Sequence, residues 1–270
     1  MNDFSKVKLV VSDMDGTLLN SKGEVSNQFF TLFKELQKRN IYFCAASGRQ
    51  HNSIVHKLDP IKNKIHVIAE NGAIAKKGDE ILLLNSLASE KITKVIPILR
   101  TIKNVNIVLC SQNSAFIESK DSHFIAMFQE YYSSFQIVED LMEIAKTTPV
   151  LKIAIHHFDS SEEFIYPVIK NLKDDFLIKI SGQHWLDISD EKANKGNALR
   201  EVQKLLKVTK EETMVFGDYH NDIEMMQEAH FSFAMKNAHK DIKKLANYKT
   251  ESNDNFGVEA VLEQLIKSKN

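Results

Sequence analysis

Short β-branched runs alternate along this chain with amphipathic helical runs, and few folds accommodate that alternation. It predicts an α/β architecture built on a mainly parallel sheet. Strands are expected at Val7–Val11, Ile41–Ala46 and His66–Ala69, with a hairpin in which Ile74 and Ile81–Leu84 flank Lys77-Gly78-Asp79. A helix is expected from Ser26, a suitable N-cap, because Phe29, Phe30, Leu32, Phe33 and Leu36 form one apolar stripe. After Ile188 the same βα rhythm returns. It predicts helices at Asn197–Leu206, Asn221–Glu228 and Gly257–Lys267, with strands at Thr213–Phe216 and Phe231–Met235.

Between residues 86 and 187 the texture changes. A helical stripe at Ile92, Val95, Ile96, Leu99 and Ile102 is followed by strands expected at Ile107–Leu109, Ala115–Ile117, Leu151–Ile155 and Phe176–Ile180. Sequential strands with helices between them read as a separate α+β module inserted into the first domain. The expected organisation is therefore a core of residues 1–85 and 188–270 interrupted by an α+β module at 86–187.

Composition narrows the function classes. Lys and Arg number 35 against 36 Asp and Glu, a formal charge of −1, whereas phosphate-backbone binding needs a basic excess, so no nucleic-acid partner is expected. No window approaches 18 uninterrupted apolar residues, so no membrane span is expected. The apolar stretch before Asp13 is too short for a signal peptide. Cys44 and Cys110 lie in apolar runs, as buried thiols in a reducing compartment would. The expectation is a cytoplasmic protein.

Four polar clusters fall at predicted strand ends or helix starts, where open parallel sheets bind ligands. In Asp13-Met14-Asp15-Gly16-Thr17, two carboxylates follow a buried strand. They suit a hard cation such as Mg2+, or a split into nucleophile and acid/base. A polar turn capping the next element explains them equally well. Ser47-Gly48-Arg49 offers a hydroxyl and free amides at a helix start, either an anion site or an ordinary strand-to-helix turn. Lys195 before Gly196 can neutralise phosphoryl oxygens, although a lone Lys is usually a solvated one. Gly217-Asp218-Tyr219-His220-Asn221-Asp222 places Asp218 at a strand tip and Asn221 and Asp222 on the next turn, where N-capping is the competing role. The first and last clusters together are far more specific, because three carboxylates at strand tips repel one another without a cation.

In this order the four clusters resemble the motifs of haloacid-dehalogenase-like (HAD) phosphatases. The long insertion between the second and third is similar to the Cof-type subfamily with a type-two, subclass-B cap. Glu70-Asn71-Gly72-Ala73 and Ala234-Met235-Lys236-Asn237-Ala238 fit that subfamily, while Ala229-His230 departs from its usual Ala-Gly. The resemblance implies a Rossmann-like HAD core with an inserted α+β cap, and Mg2+-dependent hydrolysis of phosphate monoesters of small metabolites through an aspartyl-phosphate. It implies Asp13 as nucleophile and Asp15 as acid/base, with Mg2+ held by the Asp13 carboxylate, the Asp15 carbonyl and Asp218. Ser47, the amides of Met14 and Gly48, Lys195 and Asn221 would hold the phosphoryl oxygens, with Asp222 orienting Lys195 or a metal-bound water.

His123 and Trp185 of the inserted module, and Arg49 of the core reaching toward it, are the residues to watch for substrate specificity, beside the plain reading that aromatic side chains pack a core. Sugar phosphates lead as substrates, with flavin mononucleotide and pyridoxal phosphate next. A phosphomutase of the same fold and a non-catalytic phosphate-metabolite sensor stay open. Sequence alone leaves the oligomeric state undetermined.

Overall fold

Strand β1 (Leu9–Asp13) is buried along its whole length. A parallel-sheet strand covered on both faces reads as a continuous apolar run, which explains Leu-Val-Val. It begins two residues later than the sequence pattern predicts and ends on Asp13, because parallel pairing to both neighbours carries the ladder through the polar Ser12. Helix α1 (Asn27–Lys38) follows. Ser26 caps it by accepting the Phe29 N–H at 3.0 Å. Phe29, Phe33 and Leu36 are buried, while Phe30 and Leu32 are half-buried.

The computed structural model describes residues 3–129, 131–132 and 134–269. After α1 come β2 (Tyr42–Ala46), α2 (His51–Lys57), β3 (His66–Ala69), β4 (Ile74–Lys77) and β5 (Glu80–Leu84). The middle of the chain supplies α3 (Ser89–Leu99), β6 (Val105–Ser111), β7 (Ala115–Ile117), α4 (Ser122–Phe128), β8 (Phe135–Ile137) and α5 (Leu141–Thr147). It continues through β9 (Val150–His157), the single turns α6 (Ser161–Phe164) and α7 (Tyr166–Ile169), β10 (Leu177–Ile180) and β11 (Trp185–Ser189). The C-terminal part holds α8 (Lys195–Leu206), β12 (Thr213–Gly217), α9 (Ile223–Gln227), β13 (Phe231–Ala234), α10 (Lys240–Leu245), β14 (Tyr248–Lys249) and α11 (Gly257–Ser268).

Two units result. Met1–Ser47, Ile54–Leu83 and Asn194–Asn270 make the first; Gly48–Ser53 and Leu84–Ala193 make the second. The first carries an eight-stranded sheet in the order β14-β13-β12-β1-β2-β3-β4-β5. Pairing is parallel from β14 to β3 and antiparallel between β3 and β4. From β1 the chain moves outward through β2 and β3. It later re-enters at β12 on the other side of β1 and moves outward through β13 and β14. This reversal makes a crevice at the carboxyl ends of β1, β2 and β12, the general location of ligand sites in such sheets.

The second unit has its own six-stranded sheet, in the order β10-β11-β9-β6-β7-β8. Alternate residues of β6 serve its two faces. Ile107 and Leu109 join Ile92, Val95, Ile96 and Leu99 of α3, whereas Val108 and Cys110 join Phe124 and Phe128 of α4. Covering both faces gives this module two apolar clusters, which is how about a hundred residues bury an independent core.

Two predicted helices are corrected. The one expected at Asn221–Glu228 is a tight 3-10 turn at His220–Asp222 followed by α9. The Asp222 carboxylate accepts the N–H groups of Asp218 and Tyr219 at 2.9 and 3.2 Å, which pins the turn. The one expected from Asn197 starts at Lys195, because Asn194 is the cap and accepts the Asn197 N–H at 2.8 Å. His230, where the HAD pattern has Gly, keeps a negative φ, so the departure costs no backbone strain.

His66 opens β3 beside Cys44 and is buried. Burial, with help from the positive charge of Lys77, pushes its pKa down to about 4. A base depressed in the folded state contributes stability that is fully present above its ordinary pKa near 6.5 and lost as pH falls towards 4. Between those limits the contribution has a slope of up to about 1.4 kcal/mol per pH unit. Urea unfolding at pH 7 and pH 5 should therefore show a clear acid loss, and His66→Leu should reduce it, leaving the share of His156, which burial also lowers to about 4. An equal loss in the variant would place the effect elsewhere.

Candidate active site

Lys195 is the centre of the first unit's polar cluster. It is fully buried at the first position of α8, and its Nζ donates to Asp13 Oδ1 at 2.6 Å and to Asp222 Oδ1 at 2.7 Å. Asp13 ends β1 and Asp218 follows β12, so two adjacent strand ends deliver carboxylates to one spot. Asp13, Asp218 and Asp222 each have a carboxylate oxygen within 4.8 Å of the others. Three carboxylates therefore meet one ammonium.

The electrostatics follow from that imbalance. Burial pushes the Asp13 carboxyl well up; Lys195 opposes the shift, and Asp222 and Asp218 add to it. Burial, then the charge of Asp222, raises Asp218 to about 7. Burial alone would favour neutral Lys195, but Asp13 and Asp222 overcome it and hold the ammonium charged. Such a site relaxes by taking up protons or a cation. The surrounding donors are oxygens, the set that suits a hard divalent ion. Asp222 is already engaged, one oxygen on Lys195 and the other on the turn amides. That leaves Asp13 and Asp218 as the carboxylates better disposed towards an ion.

The other residues singled out in the first unit are placed as follows. Met14 is fully buried, and its carbonyl accepts the N–H groups of Thr17 and Leu19. Asp15 is exposed and forms an isolated bridge with Leu19. Ser47 is buried immediately after β2, its N–H donating to Ile68 O at 2.9 Å. Asn221 Nδ2 donates to Asn71 Oδ1 at 3.1 Å. Gly16 has a φ of +76°, and a Cβ there would lie 2.4 Å from Asp218 Oδ2. No other residue lets the Asp13–Thr17 turn approach Asp218 so closely. Thr17 Oγ1 donates to Asp218 at 3.3 Å from the same turn.

Gly48, Arg49, His123 and Trp185 belong to the second unit. Gly48 O accepts from buried Lys152 Nζ at 3.1 Å, and Lys152 pairs with Asp187 at 3.2 Å. The Arg49 guanidinium lies 5.6 Å from the Tyr131 ring centre. His123 stacks on Phe158 at 4.8 Å; Phe158 contacts His156, which in turn packs on Trp185 at 4.8 Å. Tyr131 also meets Trp185, at 6.0 Å. One continuous cluster of rings thus links Arg49, His123 and Trp185.

Asn71, which the motif reading noted within Glu70-Asn71-Gly72-Ala73 without giving it a role, also belongs to this cluster. Its N–H donates to Ser47 O at 3.0 Å while its side chain receives Asn221, so it ties two motifs together. The available signals were the Asn71-Gly72 turn and the match of Glu70-Asn71-Gly72-Ala73 to the subfamily, neither of which assigns Asn71 a role. Glu70, Asn71 and Gly72 have φ of 50°, 54° and 96° in succession. Asn and Gly tolerate this region and Glu does not, a strain of about 1–3 kcal/mol that clusters at functional sites. A Cβ on Gly72 would lie 2.3 Å from Asn194 O, against the cap of the Lys195 helix. Asn71→Ala removes one neutral hydrogen bond, worth about 1 kcal/mol. Steady-state kinetics should show kcat lowered by about tenfold or less with KM little changed; unchanged kcat would deny Asn71 a positioning role.

A model of the haloacid dehalogenase-like hydrolase family matches residues 10–262. The chain belongs to that family. It is 30% identical to 5-amino-6-(5-phospho-D-ribitylamino)uracil phosphatase YbjI of Escherichia coli, over 97% of each chain. It is 28% identical to phosphatase YwpJ of Bacillus subtilis, over 96% of this chain and all of that one. Among solved structures, SMU.1108c of Streptococcus mutans superposes with a TM-score of 0.87 at 28% identity, covering 97% of this chain and 99% of the other. The α/β fold with a HAD core is thereby established, and the enzyme is a HAD-type phosphatase. Among the described residues, no helix is long and apolar enough to cross a membrane.

Proposed function

We propose that this HAD phosphatase is a cytoplasmic, Mg2+-dependent enzyme that hydrolyses phosphate monoesters of small metabolites through an aspartyl-phosphate on Asp13. The observation that carries the reading is the buried Lys195 ammonium shared by Asp13 and Asp222 with Asp218 beside them. The Asp13 carboxylate, the Asp15 carbonyl and Asp218 would hold the ion. When bound, Mg2+ supplies the positive charge that lets an anionic carboxylate approach an anionic phosphoryl group.

The chain's own groups do the rest. Lys195 fixes Asp13 through Oδ1, leaving the carboxylate to attack phosphorus in line with the leaving oxygen. Asp15, exposed beside it, donates a proton to the departing alkoxide and later takes one from the water that opens the acyl phosphate. Ser47, Lys195, Asn221 and the amides of Met14 and Gly48 hold the phosphoryl oxygens. Asp222 positions Lys195 and the Asp218 turn together. Residues 86–187 act as a cap that selects the leaving group, with His123 and Trp185 of the cap and Arg49 from outside that segment as specificity residues.

The substrate class is a phosphorylated sugar or sugar-like chain, extended to ring-bearing phosphates such as flavin mononucleotide and pyridoxal phosphate. The E. coli relative's name adds 5-amino-6-(5-phospho-D-ribitylamino)uracil, a ring joined to a phosphorylated sugar alcohol. The test is phosphate release from a panel of these esters, with Mg2+ or with EDTA. Turnover in Mg2+ and none in EDTA is the expected result. Isomerised product without phosphate would make the protein a mutase, and tight ester binding without turnover would make it a sensor.

A further inference from the structure

A second cluster of metal-ligating side chains lies on the surface of the first unit. His220 sits in the 3-10 turn after Asp218, His239 caps α10, and Asp241 is in the first turn of that helix. His220 Nε2 lies 3.4 Å from Asp241 Oδ2, and His239 Nδ1 lies 3.5 Å from the same oxygen. One donor atom from each residue falls within 4.8 Å of the other two, and the imidazole centres are 4.2 Å apart. All three side chains are partly exposed, from 31% at His239 to 48% at Asp241.

These separations are informative. A tetrahedral site with Zn–N and Zn–O bonds of about 2.1 Å has ligand-to-ligand edges of about 3.4 Å. Both edges to Asp241 are close to it, and the third, between the two imidazoles, is within 4.8 Å. Octahedral coordination at similar bond lengths needs shorter edges, about 3.0 Å. Two imidazoles and one carboxylate favour Zn2+ over Mg2+, the reverse of the oxygen-only cluster at Asp13 and Asp218. Three protein ligands leave the fourth tetrahedral position to water. One contact competes: the Asp241 N–H donates to His239 Nδ1 at 3.3 Å, a long bond that an ion would replace.

We propose that His220, His239 and Asp241 form a surface binding site for Zn2+, separate from the cation site of the Asp13 cluster. The two are mechanically close. The His239 N–H donates to the Asp218 carbonyl at 2.8 Å, and His220 is two residues beyond Asp218, so an ion here would fasten the turn that carries Asp218 and Asn221.

The test is Zn2+ titration of the full chain against a chromophoric chelator, in a large excess of Mg2+ so that the oxygen-only cluster is occupied. Wild type is expected to hold one Zn2+ that Mg2+ does not displace. Loss of an outer-shell partner alone costs a metal site about 10- to 100-fold in affinity, so His220→Ala and Asp241→Asn should each weaken Zn2+ by at least about tenfold. Asp218→Asn should retain it. Zn2+ uptake unchanged in both His220→Ala and Asp241→Asn, or lost only in Asp218→Asn, would overturn the site without touching the phosphatase reading.

Discussion

Asp13→Asn is expected to fold and to lose turnover by at least about 10⁴-fold, the scale on which covalent catalysis collapses when its nucleophile goes. The amide is nearly isosteric and can still accept from Lys195 through its oxygen, so the pocket survives. It cannot attack phosphorus at a useful rate. The measurement is phosphate release from the best ester of the panel, beside a circular dichroism melt to certify the fold. A well-folded Asp13→Asn protein that kept even a few per cent of activity would remove Asp13 as the nucleophile. The family and the sheet would stand, and the chemistry would have to pass through another residue.

Lys195→Met carries the second large effect, and its readout is stability. The ammonium is fully buried between Asp13 and Asp222. Removing one partner of a buried ion pair costs about 3–5 kcal/mol, because the other charges are left uncompensated. In EDTA the variant should therefore unfold at a markedly lower denaturant concentration than wild type. Adding Mg2+ should restore part of the loss, since a divalent ion among the remaining carboxylates offsets their repulsion and binds only the folded state. Turnover should fall by at least about 10²-fold with or without that rescue, because the phosphoryl contact proposed for Lys195 would be lost. Equal stability in EDTA would mean that Asp13 and Asp218, already raised by burial, neutralise themselves with protons instead.

The parts of the molecule legible in the sequence are those where local chemistry and global packing agree. β1 is buried on both faces and so reads as an unbroken apolar run; α1 is amphipathic and so reads as a stripe closed by a Ser cap. The second unit resisted. β11 escaped the pattern because Trp185-Leu186-Asp187-Ile188-Ser189 mixes apolar with polar residues, and Asp187 pairs with Lys152 from β9, a partner that no local rule supplies. β8 leaves Gln136 and Ile137 exposed and so offers no apolar run, whereas β7, equally short, is buried throughout and reads as one.

At the site, Asp13, Asp218 and Asp222 could be singled out because carboxylates gathered at strand ends and the following turn repel one another without a cation. Lys195, which alone reads as a solvated side chain, stood out only by its place among the four motifs. Asn71 could not be given a role. Its role rests on a left-handed backbone and on two partners, one 24 residues earlier and one 150 residues later. Nor could the sequence foresee that His123 and Trp185 share one ring cluster with Arg49, since three separate segments bring it together.

The central strand also sets a schedule for how the protein is made. β1 meets β2 some thirty residues along, but its other neighbour, β12, starts at Thr213. While synthesis proceeds, Leu9–Asp13 must wait for most of the chain with one hydrogen-bonding edge open and buried-type side chains on both faces. Exposed apolar edges of this kind are where nascent chains aggregate, and non-local parallel pairing is intrinsically slow. The second unit draws its strands from one continuous stretch and can close its sheet first. Asp13 and Asp218 come together only at the last major step, so a chain truncated before β12 holds half an active site and a sheet edge in search of a partner.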